Sequence, residues 1–223
     1  DKVFVRKDWQ SPKPELLKPL VTHDDARRFK SFRPNYSVLY THEVKNGKKC
    51  AIDISQYPIA EKFLLENKEI LESRTYIKKA KRNWYEIWVP QQPENWKKTK
   101  LVFPDISEKP IFWISSDDEV IQGNCYWIIS DKNEDDLLWL ALGVGNSSFI
   151  EEFYDVNFNN KLYAGRRRFM TQYVEKFPLP NPNSDISREI VSLSKKIFSL
   201  IDKIDTTDLQ QRLNKLVYKA FGL

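Results

Sequence analysis

Apolar positions along this chain keep two rhythms. Ile186, Ile190, Leu193, Ile197, Leu200 and Ile204 follow one another at alternating steps of four and three. That spacing lays a narrow apolar seam along one helix, suited to packing against another. It predicts a helix over 185–204. A second helix follows over 208–221, with Thr207-x-x-Gln210 as a capping box and Gly222 as its stop. Pro58 opens a helix that ends near Arg74, with Phe63, Leu64, Ile70 and Leu71 on one face. Residues 135–154 read as helical but are interrupted by Gly143, Gly145 and Asn146, giving two helices or one kinked helix. Elsewhere β-branched and aromatic residues cluster in short runs. Strands are predicted over 3–6, 36–42, 48–53, 84–89, 101–103, 111–114, 126–129 and 162–177. Asn46-Gly47 between the second and third marks a hairpin. Thr22-His23-Asp24-Asp25 reads as a turn or helix start.

Between the last strand and the seam helix runs Tyr173-Val-Glu-Lys-Phe-Pro-Leu-Pro-Asn-Pro-Asn183. Each proline fixes its own φ and pushes the preceding residue away from helix, so this is a stiff, extended connector. The fold class is α+β: an antiparallel-rich sheet domain over 1–180 with flanking helices, then a C-terminal helical pair over 181–223.

With 223 residues, 41% hydrophobic and 13% aromatic, the chain can bury a substantial core. It lacks a run of about 18 apolar residues, so no membrane span or membrane partner is predicted. Nothing at its start resembles a secretory signal, and Cys50 and Cys125 offer no disulfide framework. These features predict two free thiols in a reducing cytoplasm. The net charge of +5 is unevenly spread: residues 1–100 carry +9, 101–165 carry −9 and 166–223 carry +5. Two basic segments flanking an acidic one suit a surface that faces a polyanion.

The candidate chemistry is therefore DNA recognition. Phosphates need cations, which give salt-dependent affinity, and base edges need planar donors. The candidates are Arg27, Arg28, Lys30 and Arg33; then Lys78, Lys79, Lys81 and Arg82; then Arg166, Arg167 and Arg168. Gln91 and Gln92 are candidate adenine readers. In a strand Arg166 and Arg168 would face one side and Arg167 the other, so at most two of the three serve one surface. Trp84 and Tyr85 read as core anchors. Asp53 with Glu66-Asn67-Lys68 imitates the acid and Glu-x-Lys spacing of metal-dependent nucleases. The later pair falls in a helix where its side chains diverge, so no catalytic residue is assigned. His23, His42, Cys50 and Cys125 lack the spacing of a zinc site, so no metal is predicted.

The order of several segments resembles a known family. These are Leu16-Leu-Lys-Pro-Leu20, Asp24-Asp-Ala-Arg-Arg-Phe29, Glu69-Ile-Leu-Glu-Ser-Arg74 and Trp84-Tyr-Glu86. Lys100-Leu-Val-Phe-Pro-Asp105, Gly123-Asn-Cys-Tyr126, Leu140-Ala-Leu-Gly-Val-Gly-Asn-Ser147, Lys176-Phe-Pro-Leu-Pro180 and Leu216-Val-Tyr-Lys-Ala-Phe-Gly-Leu223 follow. Together they resemble the TaqI-like C-terminal specificity domain of adenine-specific DNA methyltransferases and type IIG restriction–modification enzymes. One departure is the pair of glycines in the Leu140–Ser147 segment. The resemblance implies a target-recognition domain working with a methyltransferase domain of the same polypeptide or a separate subunit. It also implies that S-adenosylmethionine belongs to that catalytic domain and that this chain holds no cofactor. No Asn/Asp-Pro-Pro-Tyr/Phe motif and no Gly-rich strand-to-helix loop occur here; Asn181-Pro-Asn183 is a linker. Half of a type I specificity subunit is the nearest alternative, although the seam spans under three heptads before Thr206-Thr207, short for that role. A self-contained nuclease and a protein-binding scaffold are the more distant ones.

Overall fold

A computed structural model describes residues 2–132, 134–158 and 161–223. The chain divides into two compact units: residues 1–21, 34–97 and 118–120, and residues 22–33, 98–117 and 121–223.

The first unit contains β1 (Val5–Arg6), β2 (Leu17–Val21), β3 (Tyr36–Leu39), β4 (His42–Lys45), β5 (Lys48–Ala51), α1 (Pro58–Glu66), α2 (Lys68–Glu72) and α3 (Thr75–Lys79). β3 pairs antiparallel with both β1 and β2. β4 and β5 form the predicted hairpin, in register from His42–Ala51 to Lys45–Lys48. Its turn places Asn46 and Gly47 at φ 52° and 72°, as a two-residue primed turn requires. Phe4, Leu39, Leu64, Leu71 and Trp96 lie in its core.

Two predicted elements of this unit differ. The helix from Pro58 breaks at Asn67, whose side-chain amide donates to the Phe63 carbonyl at 2.8 Å and so competes with the helical ladder. Leu64 and Leu71 are buried, but Ile70 faces solvent. Residues 84–89 form no strand. The Glu86 amide closes a turn onto the Asn83 carbonyl, and the Arg82 guanidinium takes the carbonyls of Ile87 (2.9 Å) and Trp88 (2.6 Å). A side chain thus supplies what a neighbouring strand would have supplied.

The second unit contains β6 (Lys100–Pro104), β7 (Ile106–Ser107), β8 (Trp113–Ser115), β10 (Cys125–Ile129), α4 (Asp135–Gly145), α5 (Ser148–Asn157), β11 (Arg167–Arg168), α6 (Thr171–Val174), α7 (Asp185–Leu200) and α8 (Thr207–Ala220); the short β9 (Val120–Ile121) spans the division. β6 is the centre of a three-stranded antiparallel sheet between β10 and β8. α4 packs on that sheet and on α7, and α7 on α8. The 135–154 segment is two helices, parted at Asn146 and Ser147; the Ser147 hydroxyl accepts from the Ile150 amide as cap of α5. Both glycines lie inside α4, ahead of the break. Along α7 the seam residues Ile190, Leu193 and Ile197 are buried, whereas Ile204 lies beyond the helix end and is exposed.

Two expectations change here. Of residues 162–177 only Arg167–Arg168 forms a strand, paired with β7; Ala164 and Gly165 turn at positive φ before it, and α6 follows it. The cap of α8 is Thr206, one residue earlier than predicted, with the Gln210 side chain donating to its hydroxyl at 3.0 Å. Asp205 instead accepts from the Thr207 amide and hydroxyl. The antiparallel-rich α+β class stands: every named strand pair whose register is resolved is antiparallel.

Candidate functional site

In the first unit α3 and the chain after it present cations to solvent. Lys78, Lys79 and Lys81 are exposed, Lys81 at φ 53°, and none has an acidic partner among the described residues. Beside them Tyr76 and Trp88 are also exposed, with ring centroids 4.9 Å apart in an edge-to-face arrangement. Three lysines flanking exposed aromatics on one short helix and its following loop form a surface fit for a polyanion with stackable or apolar edges. The exposure of Tyr76 and Trp88 escapes sequence reading because a strand over 84–89 would have turned Trp88 inward. Trp84 and Tyr85 do pack against the core.

Arg82, the fourth cation of this run, is held inside. Its Nε donates to Glu86 at 2.8 Å, Glu86 also accepts from the Asn83 amide at 2.7 Å, and His42 Nε2 lies 3.2 Å from the same carboxylate. Together they fix the shape of the loop that carries Lys81 and Trp88. Burial pushes the His42 pKa down against the opposing pull of Glu86, so the fold favours the neutral ring. An unfolded histidine titrates near 6.5. Below that pH the unfolded chain takes the proton that the fold refuses, so stability present above about 6.5 is lost as pH falls. The urea midpoint should therefore drop between pH 7.5 and 5.5, and His42→Gln should flatten that drop. An unchanged slope in the variant would remove His42 from the account.

Gln91 and Gln92 sit further along. Gln91 accepts from Trp96 Nε1 at 3.0 Å, and its carbonyl accepts from the Tyr40 hydroxyl at 2.9 Å. The Gln92 amide reaches Glu94 at the surface, 3.4 Å away.

In the second unit the stretch after Thr22 is clamped by its own fold. Arg27 and Lys30 share Asp202, each at 2.5 Å, and Arg28 donates to the Asn146 carbonyl. Phe29 between them is fully buried at φ 72° and exchanges backbone hydrogen bonds with Phe112 and Ile114. Arg33 is exposed with no acidic partner among the described residues. The arginine triplet shows the predicted alternation: Arg166 and Arg168 exposed, Arg167 buried. Arg166 lies over the Tyr163 ring and Arg168 is 3.3 Å from Asp105. Arg167 is bound by Asp155 and Glu151.

No group of His, Cys, Asp and Glu among the described residues could hold a metal ion, and no helix is long and apolar enough to cross a membrane. Asp53 caps the Ser55 amide, and Glu66 is exposed at the end of α1, so the nuclease-like spacing brings no site together. Cys125 is buried and its thiol is pushed up to about 12, which leaves it unreactive; Cys50 is a second free thiol.

The chain is thus a small-sheet α+β fold with solvent-facing cations and exposed aromatics beside them. It belongs to the TaqI-like C-terminal specificity domain family, whose pattern matches residues 26–179. Over its whole length it is 42% identical to the type II methyltransferase M.BanIII of Aneurinibacillus aneurinilyticus, and it spans 40% of that protein. Over 93% of its length it is 28% identical to the type II methyltransferase M.MjaIV of Methanocaldococcus jannaschii, spanning 69% of it. M.PaeR7I of Pseudomonas aeruginosa, another type II methyltransferase, is 24% identical over the whole chain, which spans 36% of it.

Proposed function

We propose that this chain recognises a specific sequence in double-stranded DNA for an adenine-specific methyltransferase, including the bifunctional type IIG kind. The observation that carries the reading is the α3 surface, where Lys78, Lys79 and Lys81 face solvent beside Tyr76 and Trp88. Family membership supports it, and the type II methyltransferase relatives favour it over half of a type I specificity subunit. In this reading the chain chooses the site, while base flipping and methyl transfer belong to a methyltransferase domain of the same polypeptide or a separate subunit. S-adenosylmethionine is placed there too. The setting is the prokaryotic cytoplasm.

Among the candidate residues, Lys78, Lys79, Lys81, Arg33 and Arg166 are assigned to phosphate contact, since each is exposed with no acidic partner among the described residues. Arg27, Lys30 and Arg168 would have to leave surface ion pairs to join them, which costs little.

Selection from a randomised duplex pool at two salt concentrations tests the reading. One short enriched motif, with affinity falling steeply as salt rises, is the expected result; absence of binding at low salt would overturn it. The triple variant Lys78→Ala/Lys79→Ala/Lys81→Ala should keep the motif. Its log Kd against log salt slope should fall by about 2–3, from roughly 0.9 per phosphate contact. Fluorescence anisotropy with the selected duplex measures both, and an unaltered slope would take these lysines off the DNA.

A further inference from the structure

The second unit holds a cleft of about 520 Å³ between the segment that carries Arg28, the β7–β8 loop, the α4–α5 junction and α8. Three cations line it: Arg28, Lys109 and Lys215. Glu151 is the acid among its described lining residues, and its carboxylate is engaged by Arg167 at 3.0 Å. Three cations thus face one carboxylate among the described lining residues, and Glu151 attracts Arg28 through space without pairing directly with it.

Arg28 makes this most pointed. Its guanidinium is half-buried and donates to the Asn146 carbonyl, its Nε is buried without a hydrogen-bond partner, and no carboxylate lies within ion-pair distance among the described residues. Arg27, Arg82, Arg167 and Arg212 each have such a carboxylate. A desolvated cation lacking its counter-charge is costly unless an anion completes it. The cleft lining also offers an amide donor. Asn214 accepts through Oδ1 from the Ser148 amide at 2.8 Å and hydroxyl at 3.1 Å, which leaves its NH₂ free to donate. Cations and an amide donor come from separate elements against one carboxylate among the described lining residues, so negative charge is in deficit. A group with several anionic oxygens matches that deficit through charge-assisted hydrogen bonds to more than one cation.

We propose that this cleft is a phosphate-binding site, with Arg28 as its anchor and Lys109 and Lys215 as its rim. It stands apart from the DNA reading carried by the α3 surface. The phosphate could arrive as a free phosphate group or as a phosphodiester of a nucleic-acid backbone.

The test titrates inorganic phosphate into the 223-residue chain at constant ionic strength, balanced with chloride, and follows the thermal midpoint. A saturable rise is expected. Lys109→Gln and Lys215→Gln, both at exposed positions, should each weaken the apparent affinity roughly tenfold, the loss of one charge-assisted hydrogen bond. Arg28→Gln should abolish the rise; should that variant fail to fold, the two lysine variants carry the test. No saturable rise, or an identical rise in the lysine variants, overturns the site. A second arm adds random-sequence duplex. Competition with inorganic phosphate assigns the site to DNA backbone, and phosphate binding retained on DNA-saturated chain assigns it to a free phosphate group; either result upholds it. Failure of the DNA selection with a saturable phosphate rise intact would remove the DNA reading alone.

Discussion

Arg167→Ala should cost the chain about 3–5 kcal/mol of stability, whereas Arg166→Ala should cost less than about 0.5 kcal/mol. Only 8% of the Arg167 side chain is exposed. Its Nε and one terminal nitrogen grip Asp155 at 2.7 and 2.8 Å, Glu151 stands 3.0 Å away, and the Glu108 carbonyl accepts from the other terminal nitrogen. Truncation would leave Glu151 without its ion pair, Asp155 with Lys161 alone at 2.9 Å, and one carbonyl without its donor. The charge left behind, rather than the contact removed, sets the size of the loss. Arg167→Lys should recover little, because one ammonium cannot replace a two-pronged grip. The guanidinium holds the Asp155 carboxyl down at about 2, from an ordinary value of 3.8. A carboxylate whose folded pKa is lowered contributes stability that is present above about pH 4 and is lost as pH falls toward 2. That acid limb should shrink in Arg167→Ala, Lys161 at 2.9 Å from Asp155 keeping the remainder. Urea unfolding at pH 7 and across the acid range measures both effects. An Arg167→Ala chain as stable as its parent would return this arginine to the list of DNA contacts.

The triplet shows where sequence reasoning stops. Alternation along a strand is a covalent property, so the opposition of Arg167 to its neighbours was legible. Which side is inside depends on Asp155 and Glu151, presented one turn apart by α5, and no local pattern announces them. The hairpin at Asn46-Gly47 was legible for the same kind of reason: its turn demands positive φ at two successive residues. Residues 84–89 have strand composition, yet Arg82 reaches forward and takes the carbonyls a ladder would have used. That misreading hid Trp88, and with it the aromatic half of the candidate surface. The lysines were visible as a charge run. What the sequence could not supply was their freedom from partners, a property of everything folded around them.

The glycines of α4 were the unexplained departure from the family pattern, and they carry the second large prediction. Gly143→Val should unfold the chain or cost more than about 3 kcal/mol. A Cβ at position 143 would sit 2.6 Å from Ser194 Oγ and 2.8 Å from Ile190 Cγ2, both on α7. A glycine inside a helix costs about 1 kcal/mol relative to alanine, so it must be offset by something, and the close approach of α4 to α7 is that offset. Ile190 and Ser194 are fully buried, which leaves α7 little room to yield. Valine adds two γ-carbons to a contact already too short for one β-carbon. Gly143→Ala should be milder, its gain in helix propensity partly cancelling the strain. Combining it with Ser194→Ala should recover part of the loss, because that change removes the nearest clashing atom together with a buried hydroxyl that has no hydrogen-bond partner among the described residues. Gly123→Ala is the control: nothing lies within 4 Å of its would-be Cβ, and stability should stay within about 0.5 kcal/mol. Urea midpoints of the four chains decide it. If Gly143→Val unfolds at the parental midpoint, α4 and α7 do not meet as closely as these glycine contacts require.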